Sequence, residues 1–304
     1  MTKDSLSPCQ LPPPLKPGNL LRVIAPSGAL RKFEAFHKGV EIWRSRGYRI
    51  ELQANWDARD GYLAGTDAER RQQLAAAWQD SECRGLLCSR GGYGSTRLLE
   101  DWQWSMAGQS TPKWLIGFSD ITPLLWSLSQ LGIAGVHSPV LTTLPDEPEW
   151  SINRLFDCVE GRPLAPLTGV GWGGGKVKGI LLPANFTVAT HLLGTPVQPP
   201  MKGTILALED VGEAPYRIDR MLTQWRMSGG FQEVRGIALG RFSSCEVSEE
   251  FPSWTVEEVL RDRLGDLGIP IVSDLPFGHE GVNASLPVGQ IVELDGDKGT
   301  LSWS

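Results

Sequence analysis

The residues that would make an acyl-transfer centre are present, each at a place suited to its task. The nucleophile candidate is Ser119, in Gly117-Phe118-Ser119-Asp120. It stands where an apolar strand gives way to a helix, so its hydroxyl points out of the sheet. The free N–H groups and positive dipole end of the helix lie behind it and would stabilise an oxyanion formed by its attack. A plain helix N-cap by Ser119 or Asp120 suits the same position. The G-x-S-x-G elbow is not matched, because residue 121 is Ile.

A serine nucleophile needs a base. The chain has four histidines: His37, His137, His191 and His279. His37 on a predicted helix face and His191 in a helical apolar stretch read as structural, whereas His137 follows a short strand and could line a cleft. His279 stands out. It lies in Pro276-Phe277-Gly278-His279-Glu280-Gly281, a glycine-flanked loop after the apolar run Pro270-Ile271-Val272, and functional side chains gather on such loops. A catalytic His is oriented by a carboxylate. Glu209 and Asp210 close the apolar strand Leu206-Ala207-Leu208, with Glu213 further into the loop; solvated loop acids are the alternative. Arg90-Gly91-Gly92-Tyr93-Gly94 also follows an apolar strand. Its glycines would let backbone approach a ligand and supply an oxyanion N–H, or simply make a tight turn. The segment lacks the Lys-Ser/Thr of a phosphate loop and the spacing of a dinucleotide fingerprint.

These residues need a frame. An apolar strand from Leu20 runs into Pro26-Ser27-Gly28, and a helix is expected over 33–46 and a strand over 47–52. A helix over 66–78 begins with a capping box, Thr66 and Glu69. Strands at 85–89 and 113–117 and a helix over 121–131 follow. Strands alternating with helices imply a parallel α/β sheet. Residues 160–178 are rich in Gly and Pro and read as a linker or loop. Beyond them come strands at 203–209, 234–240 and 289–294, with a helix over 216–227. The organisation expected is a loose Pro-rich tail over 1–17, an α/β domain over 18–160, a linker over 161–176 and a strand-rich domain over 177–304.

The 304 residues, 41% of them hydrophobic, are enough for one or two cored domains. A net charge of −6 gives no electrostatic reason to hold nucleic acid or an anionic membrane. No apolar run reaches the ~18 residues of a membrane span. Five scattered cysteines without a CxxC pair indicate neither a zinc site nor a disulfide framework. A reducing, cytoplasmic setting fits best.

Six segments, in order, resemble the LD-carboxypeptidase (muramoyltetrapeptide carboxypeptidase) family of serine peptidases. They are Ile24-Ala25-Pro26-Ser27-Gly28, Arg90-Gly91-Gly92-Tyr93-Gly94, Gly117-Phe118-Ser119-Asp120, Leu208-Glu209-Asp210, Pro215-Tyr216-Arg217-Ile218-Asp219-Arg220-Met221-Leu222 and Phe277-Gly278-His279-Glu280. The resemblance covers about residues 21–290. It implies an α/β protein, with an N-terminal flavodoxin-like parallel sheet domain and a C-terminal β-rich α/β domain. It implies a Ser119–Glu209–His279 triad, backbone N–H groups of Gly92 and Asp120 as the oxyanion hole, no metal and no cofactor. It further implies a cytoplasmic homodimer and a murein-derived tetrapeptide substrate that loses its terminal D-Ala. A related branch cleaves a peptide-nucleotide antibiotic. A non-catalytic module holding an anion on 90–94 is the reading from another class. Where the family often has Gly-Gly-Asn-Leu, this chain has Pro183-Ala184-Asn185-Phe186. Asn185, expected near the cleft, and Arg90, whose guanidinium suits a carboxylate, are the candidate substrate contacts.

Overall fold

A computed structural model describes residues 5–100, 102–104, 111–246 and 252–303. The chain divides into two compact units. The N-terminal unit is Cys9–Pro163 with Ala284–Val288; the C-terminal unit is Leu164–Asn283 and Gly289–Ser304, with the residues before Cys9.

In the N-terminal unit, β1 (Leu20–Ile24), β2 (Arg49–Leu52), β3 (Cys83–Cys88), β4 (Trp114–Gly117) and β5 (Val136–His137) are parallel, in the order β2-β1-β3-β4-β5. This is the flavodoxin-like order. The helices are α1 (Phe33–Ser45), α2 (Asp67–Gln79), the short α3 (Ser95–Leu98), α4 (Thr122–Gln130) and α5 (Glu149–Val159). Helix α1 buries Phe36, Gly39, Val40 and Trp43, the i, i+3, i+4, i+7 stripe of a helix facing a core. Helix α2 starts at the expected capping box, with the Thr66 side chain accepting from Glu69 N–H and the Glu69 carboxylate accepting from Thr66 N–H. Helix α5 carries no cap signal and was not legible as an element; its N-cap position is Pro148.

The Pro-rich segment is not loose where it is described in this unit. Gln10 bridges to Ile133, Leu15 N–H donates to Val159, and the Trp114 indole donates to the Pro13 carbonyl at 3.0 Å. Prolines lack an N–H to donate, but their carbonyls and rings still dock, as Pro13 does.

The C-terminal unit is built on β6 (Leu167–Thr168), β7 (Val170–Gly171), β8 (Lys176–Asn185), β9 (Thr204–Val211), β10 (Gly236–Ser243) and β11 (Ile271–Ser273). The strand β12 (Leu286–Pro287) leaves to pair antiparallel with β5 in the first sheet, and β13 (Ile291–Asp295) and β14 (Thr300–Trp303) return. The second sheet runs β6-β14-β13-β8-β9-β10-β11-β7, and β8 to β11 at its centre are parallel. Helices α6 (Phe186–Leu192), α7 (Pro215–Met227) and α8 (Val256–Leu264) complete it. Pro183 is tolerated in central β8 because pairing with β13 ends at Ile180, which leaves only β9 beside it.

The stretch read as a linker supplies both edges of this sheet. Only Gly169 separates β6 from β7, so the two ends of the sheet are joined and it closes on itself. The glycines there reflect crowding rather than looseness. A Cβ on Gly169 would lie 2.1 Å from the Ser273 carbonyl oxygen, and one on Gly171 2.1 Å from that of Gly296. Gly169→Ala is therefore expected to destabilise this unit by about 1–3 kcal/mol through overpacking. A lower chemical-denaturation midpoint checks this; an unchanged midpoint contradicts the closure.

Candidate active site

In the N-terminal unit the loops after β1, β3 and β4 come together at the carboxyl ends of the parallel strands, where open α/β sheets bind ligands. Two buried charged side chains hold them. Asp120 is 2% exposed and accepts from Ser27 Oγ at 2.6 Å and from Ser95 N–H at 2.9 Å. Ser95 Oγ donates in turn to the Asp120 carbonyl. Arg70, from α2, donates to the carbonyls of Pro26 and Gly94 and pairs with Asp67. Burial pushes the Asp120 carboxyl above its ordinary value, against the pull of these hydrogen bonds. Its carboxylate is thus a clamp.

Ser119 has φ +62, in the left-handed region, which costs a non-glycine residue roughly 1–2 kcal/mol. It opens a 3-10 turn, Ser119–Ile121, that leads into α4. Neither Ser119 nor Asp120 is the N-cap. Those positions fall to Phe118 for the 3-10 turn and Ile121 for α4, both without a side-chain cap bond. Strained geometry rather than capping marks Ser119. Gly91 packs directly against it: a Cβ there would lie 3.0 Å from Ser119 Cβ, 3.1 Å from its Oγ and 3.6 Å from the Asp120 nitrogen. The missing side chain leaves space over the hydroxyl and that N–H. Gly92, the glycine singled out from the sequence, has φ +111 and lies against the Arg90 guanidinium. Gly91, Ser27 and Ser95 were not singled out; the Gly-Gly pair and Pro26-Ser27-Gly28 were the available signals.

Arg90 is half-buried and reaches across to the loop after β1. Its Nη1 donates to the Ala29 carbonyl at 2.6 Å, and Gly28 N–H donates to Gly91. Burial, then the charges of Arg31 and Arg59, lower its pKa.

The C-terminal unit brings Glu209 and His279 together. Glu209 lies within the buried run of β9, beside Asn185 of β8 in the strand register. Its side chain has no exposure, and Oε2 lies 2.6 Å from His279 Nδ1. The His279 loop is pinned to β10: Arg241 N–H donates to the Phe277 carbonyl, and Gly278 N–H donates to Asn283. Gly278 has φ +134, which no other residue adopts readily. Burial opposes charge on the ring, but the charge and hydrogen bond of Glu209 outweigh it, and the imidazole is held above its ordinary value. With Nδ1 on the carboxylate, Nε2 is the nitrogen that can exchange a proton with a substrate or nucleophile.

Asn185 is 4% exposed and turned inward. Its Nδ2 donates to Asp210 at 3.0 Å and reaches Glu209 at 3.4 Å, while its Oδ1 caps α6 through Val188 N–H. It supports Glu209 rather than presenting its amide to a ligand. Asp210 also accepts from both the N–H and the hydroxyl of Thr187, and burial pushes it up to about 6. Of the other histidines, His137 is wholly buried beside the Phe118 ring, while His37 and His191 are exposed. Among the described residues no group of three or more His, Cys, Asp or Glu side chains is placed to hold a metal ion, and no helix is long and apolar enough to cross a membrane.

The chain matches known proteins along most of its length. Residues 21–138 match the model of the LD-carboxypeptidase N-terminal domain, and residues 178–294 that of its C-terminal domain. A protein of Synechocystis sp. that carries a carboxypeptidase name is 62% identical over 96% of either chain. The murein tetrapeptide carboxypeptidase of Pseudomonas aeruginosa is 32% identical over 92% of this chain and 94% of its own. The crystal structure of the muramoyltetrapeptide carboxypeptidase from Oxalobacter formigenes superposes with a TM-score of 0.82 at 29% identity, covering 93% of this chain and 97% of that one.

The Glu209–His279 pair has a direct test. The His279 imidazole is expected to titrate above its ordinary value by NMR, and Glu209→Gln to lower it, because burial is then opposed only by the charge of Asp210. Since the folded state binds this proton more tightly than the unfolded one, the pair's contribution to stability is present below pH ~6.5 and fades as the pH rises through the folded value. Equal titration in both proteins would contradict the pairing.

Proposed function

The chain belongs to the LD-carboxypeptidase family, a family of peptidases, and from that premise we propose that it is a serine-type carboxypeptidase that releases the terminal D-Ala of a murein tetrapeptide. The observation that carries the reading is the 2.6 Å contact of His279 Nδ1 with fully buried Glu209. That contact fixes one tautomer of the ring and prepares it to accept a proton at Nε2. Ser119, strained at a strand-to-helix turn with Gly91 packed against it, is the nucleophile that this base serves.

In the proposed reaction His279 takes the Ser119 proton as the Oγ attacks the scissile carbonyl. The oxyanion is received by backbone N–H groups at Asp120 and Gly92. The imidazolium, stabilised by Glu209, then protonates the amine of departing D-Ala. Water enters, gives a proton to His279 as it attacks the acyl carbon, and His279 returns that proton to Ser119 Oγ as the shortened peptide leaves with a carboxyl end. No metal is called on. Arg90, which has donors beyond the one on the Ala29 carbonyl, remains a candidate for a substrate carboxylate.

The test is incubation with a murein tetrapeptide, followed by mass spectrometry for loss of one alanine. The intact protein is expected to release D-Ala, and Ser119→Ala to slow release by about 10⁴-fold or more while still binding peptide. Tetrapeptide left whole by the folded native protein overturns the substrate. Full activity in Ser119→Ala overturns the nucleophile.

A further inference from the structure

The segment Pro215-Tyr216-Arg217-Ile218-Asp219-Arg220-Met221-Leu222 has no part in the mechanism above, yet it lines a groove of about 570 Å³ between α6 and α7. Thr187, His191 and Gln224 also face this groove. Its position ties it to the Glu209–His279 pair within the same unit. The Thr187 N–H and hydroxyl both donate to Asp210, which adjoins Glu209 in β9, and Glu213 on the rim lies four residues beyond Glu209.

The groove carries more cationic than acidic groups. Arg217 and Arg220 face it against one carboxylate, Glu213. Glu213 and the Tyr216 hydroxyl already engage Arg217, at 3.5 Å and 3.2 Å. Arg220 makes no ion pair among the described residues. It lies 5.8 Å from the centre of the Tyr216 ring, which is 60% exposed, so the ring helps to orient a guanidinium that pairs with no carboxylate among the described residues. Residues 216, 220 and 224 fall at i, i+4, i+8, one face of α7. An unpaired, oriented guanidinium in a polar groove is suited to a planar anion that it can grip bidentately.

We propose that this groove binds a carboxylate of the peptide substrate, with Arg220 as its partner and Tyr216 and His191 as its walls. The proposal rests on the peptidase reading for the identity of the ligand but not for its chemistry. Two sources are open to it, the C-terminal carboxylate and the side-chain carboxylate of a diaminopimelate residue.

The experiment is calorimetric titration of the full chain carrying Ser119→Ala, so that binding is read without turnover, with and without Arg220→Ala. The probes are the tetrapeptide, its C-terminal amide, and the tetrapeptide with lysine in place of diaminopimelate. Arg220 is exposed, so the variant is expected to fold, and Arg220→Lys, which keeps charge but loses the fork, should fall between. The expected result is a Kd about tenfold higher for the tetrapeptide in Arg220→Ala. That penalty should vanish for whichever altered peptide lacks the carboxylate the groove holds. Equal affinity with and without Arg220, an identical penalty for all three peptides, or no peptide binding overturns the proposal. Arg220-dependent binding together with no D-Ala release by the native protein would leave the groove standing and remove the reaction.

Discussion

Burying an ionised carboxylate costs several kcal/mol unless it is paired and hydrogen-bonded, and the Glu209 side chain has no solvent exposure at all. Much of the C-terminal unit near this point can be understood as meeting that cost. The parallel register of β8 and β9 sets Asn185 beside it, and the Asn185 amide divides its donors between Glu209 and Asp210. The second side of Glu209 is met by an imidazole on a loop that glycine alone permits, with Gly278 at φ +134. The loop is locked where Gly240 lets the chain pass: a Cβ there would lie 2.4 Å from the Phe277 carbonyl oxygen. A carboxylate solvated mainly by a single imidazole necessarily raises that ring's proton affinity, which is the property a general base near neutral pH requires.

Asp120, in the other unit, is just as buried and has a different fate. Its partners are a hydroxyl and a backbone N–H, Ser27 and Ser95, neither of which can take up a proton near neutral pH. The same physics therefore yields a structural clamp in one unit and a proton-handling pair in the other, and the nature of the partner decides which. The clamp has its own consequence. By fixing the loops after β1, β3 and β4 to one another, it holds the left-handed backbone at Ser119 that an unsupported turn would relax.

What could be read from the sequence was whatever is encoded locally. The stripe of α1, the capping box of α2, the strand-to-helix turn at Ser119 and the glycine-flanked loop of His279 all lie within a few residues of their cause. The alternation of strands and helices was enough to imply a parallel sheet. Long-range constraints were hidden. Gly169 and Gly171 look like linker residues because composition cannot reveal that backbone from Ser273 and Gly296 presses on them. The partners of Asn185 on the neighbouring strand, Glu209 and Asp210, have no local signature either. Ser119 and Asp120 looked like helix caps because a left-handed φ at a serine has no local signature. The contact of Gly91 with Ser119, rather than Gly92 alone, follows from the packing of two loops and not from the order of glycines in one.

The central claim is that Ser119 is a nucleophile activated by His279. A fluorophosphonate, which phosphonylates only an activated serine hydroxyl, tests it without reference to any substrate. The account predicts one adduct per chain, mapped by peptide mass spectrometry to Ser119, and little labelling in His279→Ala. An adduct on another serine, or undiminished labelling in His279→Ala, would contradict it.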